Sequence, residues 1–169
     1  METFEVSLNL RIEGFPVAAA VIAVKGRSAQ RLADVSLHRQ DLNFSRKCLE
    51  AISGQTGDNI FMAEVLWRSA ITHYVKCFGQ GARFMLTAEK IYRNEPPLAL
   101  EVFQYFKTMR NKHFVRDENS TKLALPAAII ANESKTYKVE KVVCSVMQAA
   151  TLEQGNFFNL VMLVDKAFA

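Results

Sequence analysis

The polar stretch Arg110–Asn119 contains the side chains whose types and spacing best suit chemistry. Its sequence is Arg-Asn-Lys-His-Phe-Val-Arg-Asp-Glu-Asn, and Arg110 and His113 lie three residues apart, so on an α-helix they would share one face. A guanidinium can bind a phosphate through two hydrogen bonds, and an imidazole can move a proton near neutral pH. The pair therefore predicts phosphate binding at Arg110 and proton transfer at His113.

A purely structural role explains the same two residues. Arg110 continues an apolar stripe formed by three residues before it, Phe103, Phe106 and Met109. A charge in that position needs either a partner or a groove, because burying it alone is costly. The partner would be Glu64 or Glu101, and His113 would then interact with the helix C-terminus. From spacing alone this structural interpretation is the more common one, because basic residues are frequent at helix ends.

Basic residues gather around this stretch: Lys107, Arg110, Lys112 and Arg116. The chain has 21 Lys and Arg against 17 Asp and Glu, and this net charge of +4 permits contact with a polyanion without requiring it. We predict that Lys107, Lys112 and Arg116 bind nucleic acid; the alternative is a solvated basic face, with Asp117 and Glu118 partly offsetting its charge.

The segment from Leu98 through Asn119 resembles the last core helix of the HEPN superfamily (higher eukaryote and prokaryote nucleotide-binding domains). The motif of that superfamily is an Arg, usually followed by a polar residue, and then a His several residues further along. Arg110 and Asn111 match its first two positions, whereas Arg116 stands where similar bacterial sequences have the His.

The resemblance implies a homodimeric, metal-independent endoribonuclease without a cofactor, in which the two motifs face each other across the interface. His113 would act as general base on a ribose 2′-hydroxyl, Arg110 would stabilise the phosphate and Asn111 would orient one of them. It also implies a toxin or phage-defence component with an antitoxin protein as partner. Because Arg116 cannot act as a base, the alternative is a non-catalytic domain that binds nucleotide, RNA or protein.

Other combinations of side chains predict little chemistry. His73 and Cys77 lie four residues apart, a spacing that can place two ligands on a metal, but no second pair accompanies them, so we predict no metal site. We expect His73 and Cys77 to be buried helix residues and His38 to be solvated or to cap a helix. The glycines are too scattered for a phosphate-binding loop.

Composition and cysteine use indicate one soluble, folded domain. The chain has 169 residues, 50% of them hydrophobic and 22% charged, which excludes a disordered class. Three widely spaced cysteines, Cys48, Cys77 and Cys144, are poor material for a disulfide framework and favour the cytoplasm. The apolar run Val17–Val24 is too short to cross a membrane, so we predict no membrane contact.

With only 7 Gly and 4 Pro, the chain favours long helices. The first follows Gly26, is capped by Ser28, ends at Gly54 or Gly57 and has apolar positions on one side, Leu32, Val35, Leu42, Cys48, Leu49 and Ile52. The second is capped by Asp58 or Asn59 and ends near Gly79 and Gly81. Its apolar residues nearly fill its circumference: Phe61, Val65, Leu66, Trp67, Ala70, Ile71, Tyr74, Val75 and Phe78.

Three further helices follow in the sequence pattern. A short one passes through Phe84, Leu86, Ala88 and Ile91, and the next begins at about Leu98, after two prolines. The last covers about Leu152 to Phe168, with an apolar stripe at helical spacing, Phe157, Leu160, Val161, Val164 and Phe168.

Two hairpins are predicted. Phe4–Ile12 alternates strictly between apolar and polar residues and, with the short apolar run Val17–Val24, predicts an N-terminal hairpin. Ala127–Ala131 and the alternating segment Tyr137–Val143, joined by a turn at Asn132–Lys135, predict a second. The predicted fold is mainly α, with α+β character at the margins: a HEPN-like four- or five-helix bundle with small β-hairpins. It forms a single domain over residues 1–169, with an N-terminal hairpin at 1–24, a helical core at 27–119, and a hairpin plus helix at 120–169.

Overall fold

The computed structural model describes residues 24–55, 59–114, 122–130 and 138–169. In chain order the elements are α1 (Arg27–Ser53), α2 (Ile60–Lys76), α3 (Ala88–Ile91), α4 (Leu98–Thr108), a π-helical turn (Met109–Phe114), β1 (Lys122–Ile130), β2 (Val139–Gln148) and α5 (Gln154–Phe168). The protein is mainly helical with a small antiparallel sheet, so the predicted fold class is confirmed. The predicted strand Phe4–Ile12, Val17 to Ala23 and the turn Asn132–Lys135 lie outside the described residues.

Helix α1 begins and ends at glycines. Gly26 precedes its first residue with φ 114°, a conformation that glycine adopts without strain, and no side chain caps the helix. The predicted cap at Ser28 is therefore wrong, because Ser28 lies within the first turn. Gly54 ends the helix as predicted, and its N–H donates to the carbonyl of Glu50 at 2.9 Å.

Helix α2 begins at a side-chain cap and runs into the core. Asn59 is the cap, because its Oδ1 accepts a hydrogen bond of 3.0 Å from the N–H of Met62. Four of its residues are completely buried: Trp67, Ala70, Ile71 and Tyr74. The expectation that the apolar positions of α2 lie in the core is wrong for its first turns, where Phe61 and Val65 are exposed. On the predicted apolar side of α1, Leu32 and Val35 are exposed as well.

The core lies between α2 and the helices around it. Helix α2 packs against α1, α4 and the π-helical turn, while α5 packs against α1 and α4. The predicted stripe on α4 faces this core, since Phe103 and Phe106 are buried and Met109 continues them in the π-helical turn. Helix α5 begins at Gln154, close to the prediction, and buries Leu160 and Val164.

The predicted helix from Phe84 to Ile91 is too long, because only Ala88–Ile91 is helical. The residues before it donate backbone hydrogen bonds to other parts of the fold. The N–H of Phe84 donates to Asp34 Oδ2 at 3.3 Å, and the N–H of Leu86 donates to the Cys77 carbonyl at 3.0 Å. These two hydrogen bonds fasten the segment to α1 and to the end of α2, and the helix begins only after it.

Strands β1 and β2 confirm the second hairpin and extend it. They pair antiparallel from Lys122↔Gln148 to Ile130↔Val139, with an irregularity between Ile129 and Ile130. Pro126 lies in the middle of β1, where a residue without an N–H fits an edge strand. Apolar side chains on the hairpin are largely exposed, among them Val142 and Val146.

Candidate functional site

The helix that carries the predicted site changes type where the site begins. Helix α4 ends at Thr108, and Met109–Phe114 continue it as a π-helical turn. A π-helical turn bonds residue i to i+5 and so holds more residues than an α-helical one. Arg110 and His113 therefore do not have the α-helical relationship that their spacing predicts. Nothing in the residue pattern predicted this turn, although π-helical turns are frequent at functional sites.

The Arg110 guanidinium is half-buried and has a neutral partner. Its Nη1 donates to Oδ1 of Asn111 at 2.8 Å, while its Nε is buried without a hydrogen-bond partner. Neither Glu101 nor Glu64 forms an ion pair with it among the described residues, and Glu64 instead pairs with Arg68. The structural interpretation, with a buried carboxylate as partner, therefore finds no support in the described part of the chain.

The other predicted site residues lie around Arg110 on the same segment. Asn111 and His113 are half-buried in the π-helical turn, and Lys112 is exposed. Lys107 belongs to the last turn of α4, with its Nζ 5.9 Å from the centroid of the Phe103 ring. Arg116, Asp117, Glu118 and Asn119 lie outside the described residues. The structure thus brings five of the six predicted residues, Lys107 and Arg110–His113, onto one short helical segment.

Helix α2 supports the π-helical turn through a small polar contact. The Arg68 guanidinium lies 5.3 Å from the centroid of the Phe114 ring and also pairs with Glu64 one turn earlier on α2. Glu64 lines an open groove of about 530 Å³ together with Trp67 and the segment Ala149–Leu152. No residue of the π-helical turn lines this groove, and the connection between the two runs through the Glu64–Arg68 pair on α2.

A second polar cluster, which the sequence did not predict, lies between α1, α2 and the segment before α3. Asp41 is its centre and accepts hydrogen bonds from three side chains, His73, Lys76 and Arg83. Burial alone raises the pKa of Asp41, but these hydrogen bonds outweigh it and hold the pKa below its ordinary value. Asp41 is therefore an ionised carboxylate in the folded protein.

His38 and Cys77 complete the surroundings of this cluster. The prediction of a solvated or capping His38 is wrong, because its side chain is buried and its Nε2 lies 2.7 Å from the carbonyl of Phe84. Cys77 is buried as predicted, and burial raises the pKa of its thiol to about 12. His73, by contrast, is only partly buried. Polar residues at helical spacing on α1, Asp34, His38 and Asp41, were the sequence pattern that could have indicated a buried polar face.

In residues 24–55, 59–114, 122–130 and 138–169, no three His, Cys, Asp or Glu side chains converge as metal ligands would. The Cys77 thiol is directed at the carbonyls of His38 and His73, and the His73 Nδ1 is hydrogen-bonded to Asp41. In the same part of the chain, none of the helices has both the length and the apolar character needed to span a bilayer.

Fold and site together define a mainly helical protein with a half-buried arginine at the end of its fourth helix. Comparison of the chain with known protein families, with curated proteins and with solved structures gave no match.

Proposed function

We propose that this chain is a HEPN-like protein of metal-independent endoribonuclease ancestry that binds the phosphates of RNA at Arg110. The observation that carries the proposal is the half-buried Arg110 guanidinium, whose described partner is the neutral Asn111 and whose Nε has none. A charge in such a position is costly unless an anion joins it. An RNA phosphate would supply that anion and could accept two hydrogen bonds from the guanidinium.

Residues on the same segment provide the rest of the proposed chemistry. His113 would take the proton of a ribose 2′-hydroxyl, and the 2′-oxygen would attack the adjacent phosphorus. The bond from phosphorus to the 5′-oxygen would break, and that oxygen would take a proton from water to leave as a 5′-hydroxyl beside a cyclic 2′,3′-phosphate. The hydroxide so formed would take the proton from His113 and return it to the neutral form. Arg110 would stabilise the charge on the phosphate oxygens, and Asn111 holds the guanidinium through its 2.8 Å hydrogen bond.

The experiment is an RNA cleavage assay without metal. We expect the parent chain to cleave RNA and Arg110→Ala and His113→Ala to lose that cleavage. Arg110→Lys keeps the charge but not the paired donors, so it should retain only part of the activity. Arg93→Ala is the matched control, because Arg93 is an exposed arginine in the turn after α3. Loss of activity in Arg93→Ala to the same extent as in Arg110→Ala would contradict the proposal.

A second function, binding without cleavage, is favoured by one observation, the Arg116 that stands where the resemblance calls for a His. In that case the parent would bind RNA without cutting it, and Arg116→His would gain cleavage. Binding measured against salt concentration tests this alternative. The slope of log K against log salt is negative, and losing one phosphate contact to single-stranded RNA reduces its magnitude by about 0.7. We expect Lys112→Ala to reduce the magnitude of that slope and Arg93→Ala to leave it unchanged.

A homodimer belongs to the same proposal, because two Arg110 segments would then form one site. Sedimentation of the purified chain tests it, and a monomer at the concentration at which RNA is cleaved would contradict a composite site. The toxin or phage-defence role and an antitoxin partner, which the resemblance implies, remain predictions.

A further inference from the structure

The Asp41 cluster has more hydrogen-bond donors than its carboxylate uses. Asp41 Oδ1 accepts from His73 Nδ1 at 2.8 Å and from Lys76 Nζ at 3.0 Å, and Oδ2 accepts from Arg83 Nη2 at 2.9 Å. An ammonium group has three donors and a guanidinium has five, so both cations keep several donors. Two permanent cations meet one carboxylate, and the cluster therefore keeps a positive charge.

Exposure orders these groups from the protein interior to its surface. The Asp41 side chain is 10% exposed, whereas those of Arg83, His73 and Lys76 are 19%, 34% and 47% exposed. An anion that approaches from solvent therefore meets the donors first and the carboxylate last. Asp34 is the other buried carboxylate of this part of α1. It accepts hydrogen bonds from the Phe84 N–H and from Gln30, and not from these cations.

The hydrogen bond to Asp41 also fixes the form of His73. An ionised carboxylate only accepts, so the Nδ1 of His73 carries the proton and donates it. The Nε2 is then the free position of the ring, on a side chain that reaches solvent, and the ring is held in place by Phe44 at a centroid distance of 4.3 Å. This is the arrangement in which a carboxylate orients an imidazole for contact with a ligand.

We infer that His73, Lys76 and Arg83, positioned by Asp41, form a phosphate-binding site separate from Arg110. The ligand is the phosphate group of a phosphoester or of free phosphate. The ammonium and guanidinium groups neutralise its oxygens, and the unprotonated Nε2 of His73 accepts a hydrogen bond from a P–OH group of the ligand. The site also explains why the His73 imidazole is oriented by Asp41 and partly exposed instead of being buried in the core.

The test is a titration of the full chain with inorganic phosphate, with adenosine 5′-monophosphate and with a short single-stranded RNA, followed by the imidazole NMR signals of His73. His73→Gln assigns those signals among the three histidines of the chain. We expect phosphate to shift the His73 signals, and we expect Lys76→Ala to weaken binding by about tenfold or more, because it removes a charge-assisted hydrogen bond. Which of the three ligands binds most tightly distinguishes free phosphate, a nucleotide and RNA as its source.

Two control variants separate this site from general effects. Lys90→Ala removes an exposed lysine on α3 and should bind phosphate as the parent does. Arg110→Ala should keep the His73 shifts even where it abolishes RNA binding at the π-helical turn, so the two proposals fail independently. Absence of His73 shifts with all three ligands, or equal affinities of Lys76→Ala and Lys90→Ala, would overturn the inference and leave the cluster as an ion-pair network that fastens Arg83 to α1.

Discussion

Tyr74 and Tyr92 share a hydrogen bond of 2.7 Å between their hydroxyl groups in the middle of the core. Tyr92 uses its own proton to donate to the carbonyl of Leu163 at 3.0 Å, so Tyr74 must be the donor to Tyr92. Burial raises the pKa of both phenols, which keeps them protonated and able to donate. The chain of hydrogen bonds joins α2, the end of α3 and α5.

Removal of the two hydroxyls should therefore have unequal effects. Tyr74→Phe removes one hydrogen bond and leaves Tyr92 bound to Leu163, at a cost of about 1 kcal/mol. Tyr92→Phe leaves the buried Tyr74 hydroxyl without an acceptor, at a cost of about 2 kcal/mol or more. Urea unfolding measures both, and a larger loss in Tyr74→Phe would contradict the direction assigned to the hydrogen bond.

Asp41 should make the stability of the protein depend on pH in acid. Because the pKa of Asp41 is lower in the folded than in the unfolded chain, the unfolded chain binds more protons below about pH 4. The unfolding free energy should then fall as pH falls through that range, while the contribution of Asp41 is fully present at neutral pH. In Asp41→Asn that part of the slope disappears.

Asp41→Asn should also cost about 2 kcal/mol at neutral pH, less than a fully buried ion pair would, because His73 and Lys76 reach solvent. Asp165→Asn is the control, since Asp165 forms an exposed ion pair with Arg46. Urea unfolding at a series of pH values measures the slope, and the same acid slope in the parent and in Asp41→Asn would refute this role.

Trp67 reports on the contact between α2 and the segment before α5. It is the single tryptophan of the chain, it is fully buried, and its Nε1 donates to Thr151 Oγ1 at 3.2 Å. Thr151→Val keeps the shape but leaves the indole N–H without this acceptor, so we expect a loss of about 1 kcal/mol and a changed tryptophan emission. Thr151→Ser retains the hydroxyl and should change both less. Equal effects of the two variants would argue against the hydrogen bond.

Arg110→Met should show that Arg110 is kept for binding and not for stability. Methionine removes the buried Nε that has no partner and retains most of the apolar volume. We expect an unfolding free energy equal to that of the parent or up to about 1 kcal/mol higher, together with loss of RNA binding. A clear destabilisation of Arg110→Met would instead assign Arg110 a structural role.

The three thiols should react at different rates. Cys144 is exposed on β2, whereas Cys48 and Cys77 are buried, and burial raises the pKa of both buried thiols. In the folded protein a thiol reagent should therefore modify one cysteine quickly and the other two only as the chain unfolds. Peptide mass spectrometry identifies the modified residue, and Cys144→Ser should abolish the fast phase. Early modification of Cys77 would contradict its burial.

Local sequence patterns were sufficient for much of the secondary structure. A glycine marked the C-terminal end of α1, Asp58 or Asn59 the start of α2, and alternation the second strand of the hairpin. Caps, glycine conformations and period-two alternation depend on neighbours along the chain. The same kind of reasoning placed Arg110, Asn111 and His113 on one segment.

Other features depended on contacts between residues far apart in the chain. The segment before α3 is fastened by hydrogen bonds to Asp34 and Cys77, and the buried His38 contacts the carbonyl of Phe84. The Asp41 cluster joins residues 32 to 42 positions apart, a relationship that no local pattern contains.

In the candidate site, too, some features follow from the local sequence and others from tertiary contacts. The sequence by itself determined a mainly helical chain with Arg110 on a core-facing stripe, since hydrophobic periodicity specifies which side of a helix is buried. Only the tertiary structure decided that this arginine lies in a π-helical turn beside Asn111 and that Asp41 is surrounded by His73, Lys76 and Arg83. The physical reason is that a buried charge takes the partner that packing brings to it, and packing is a property of the whole fold.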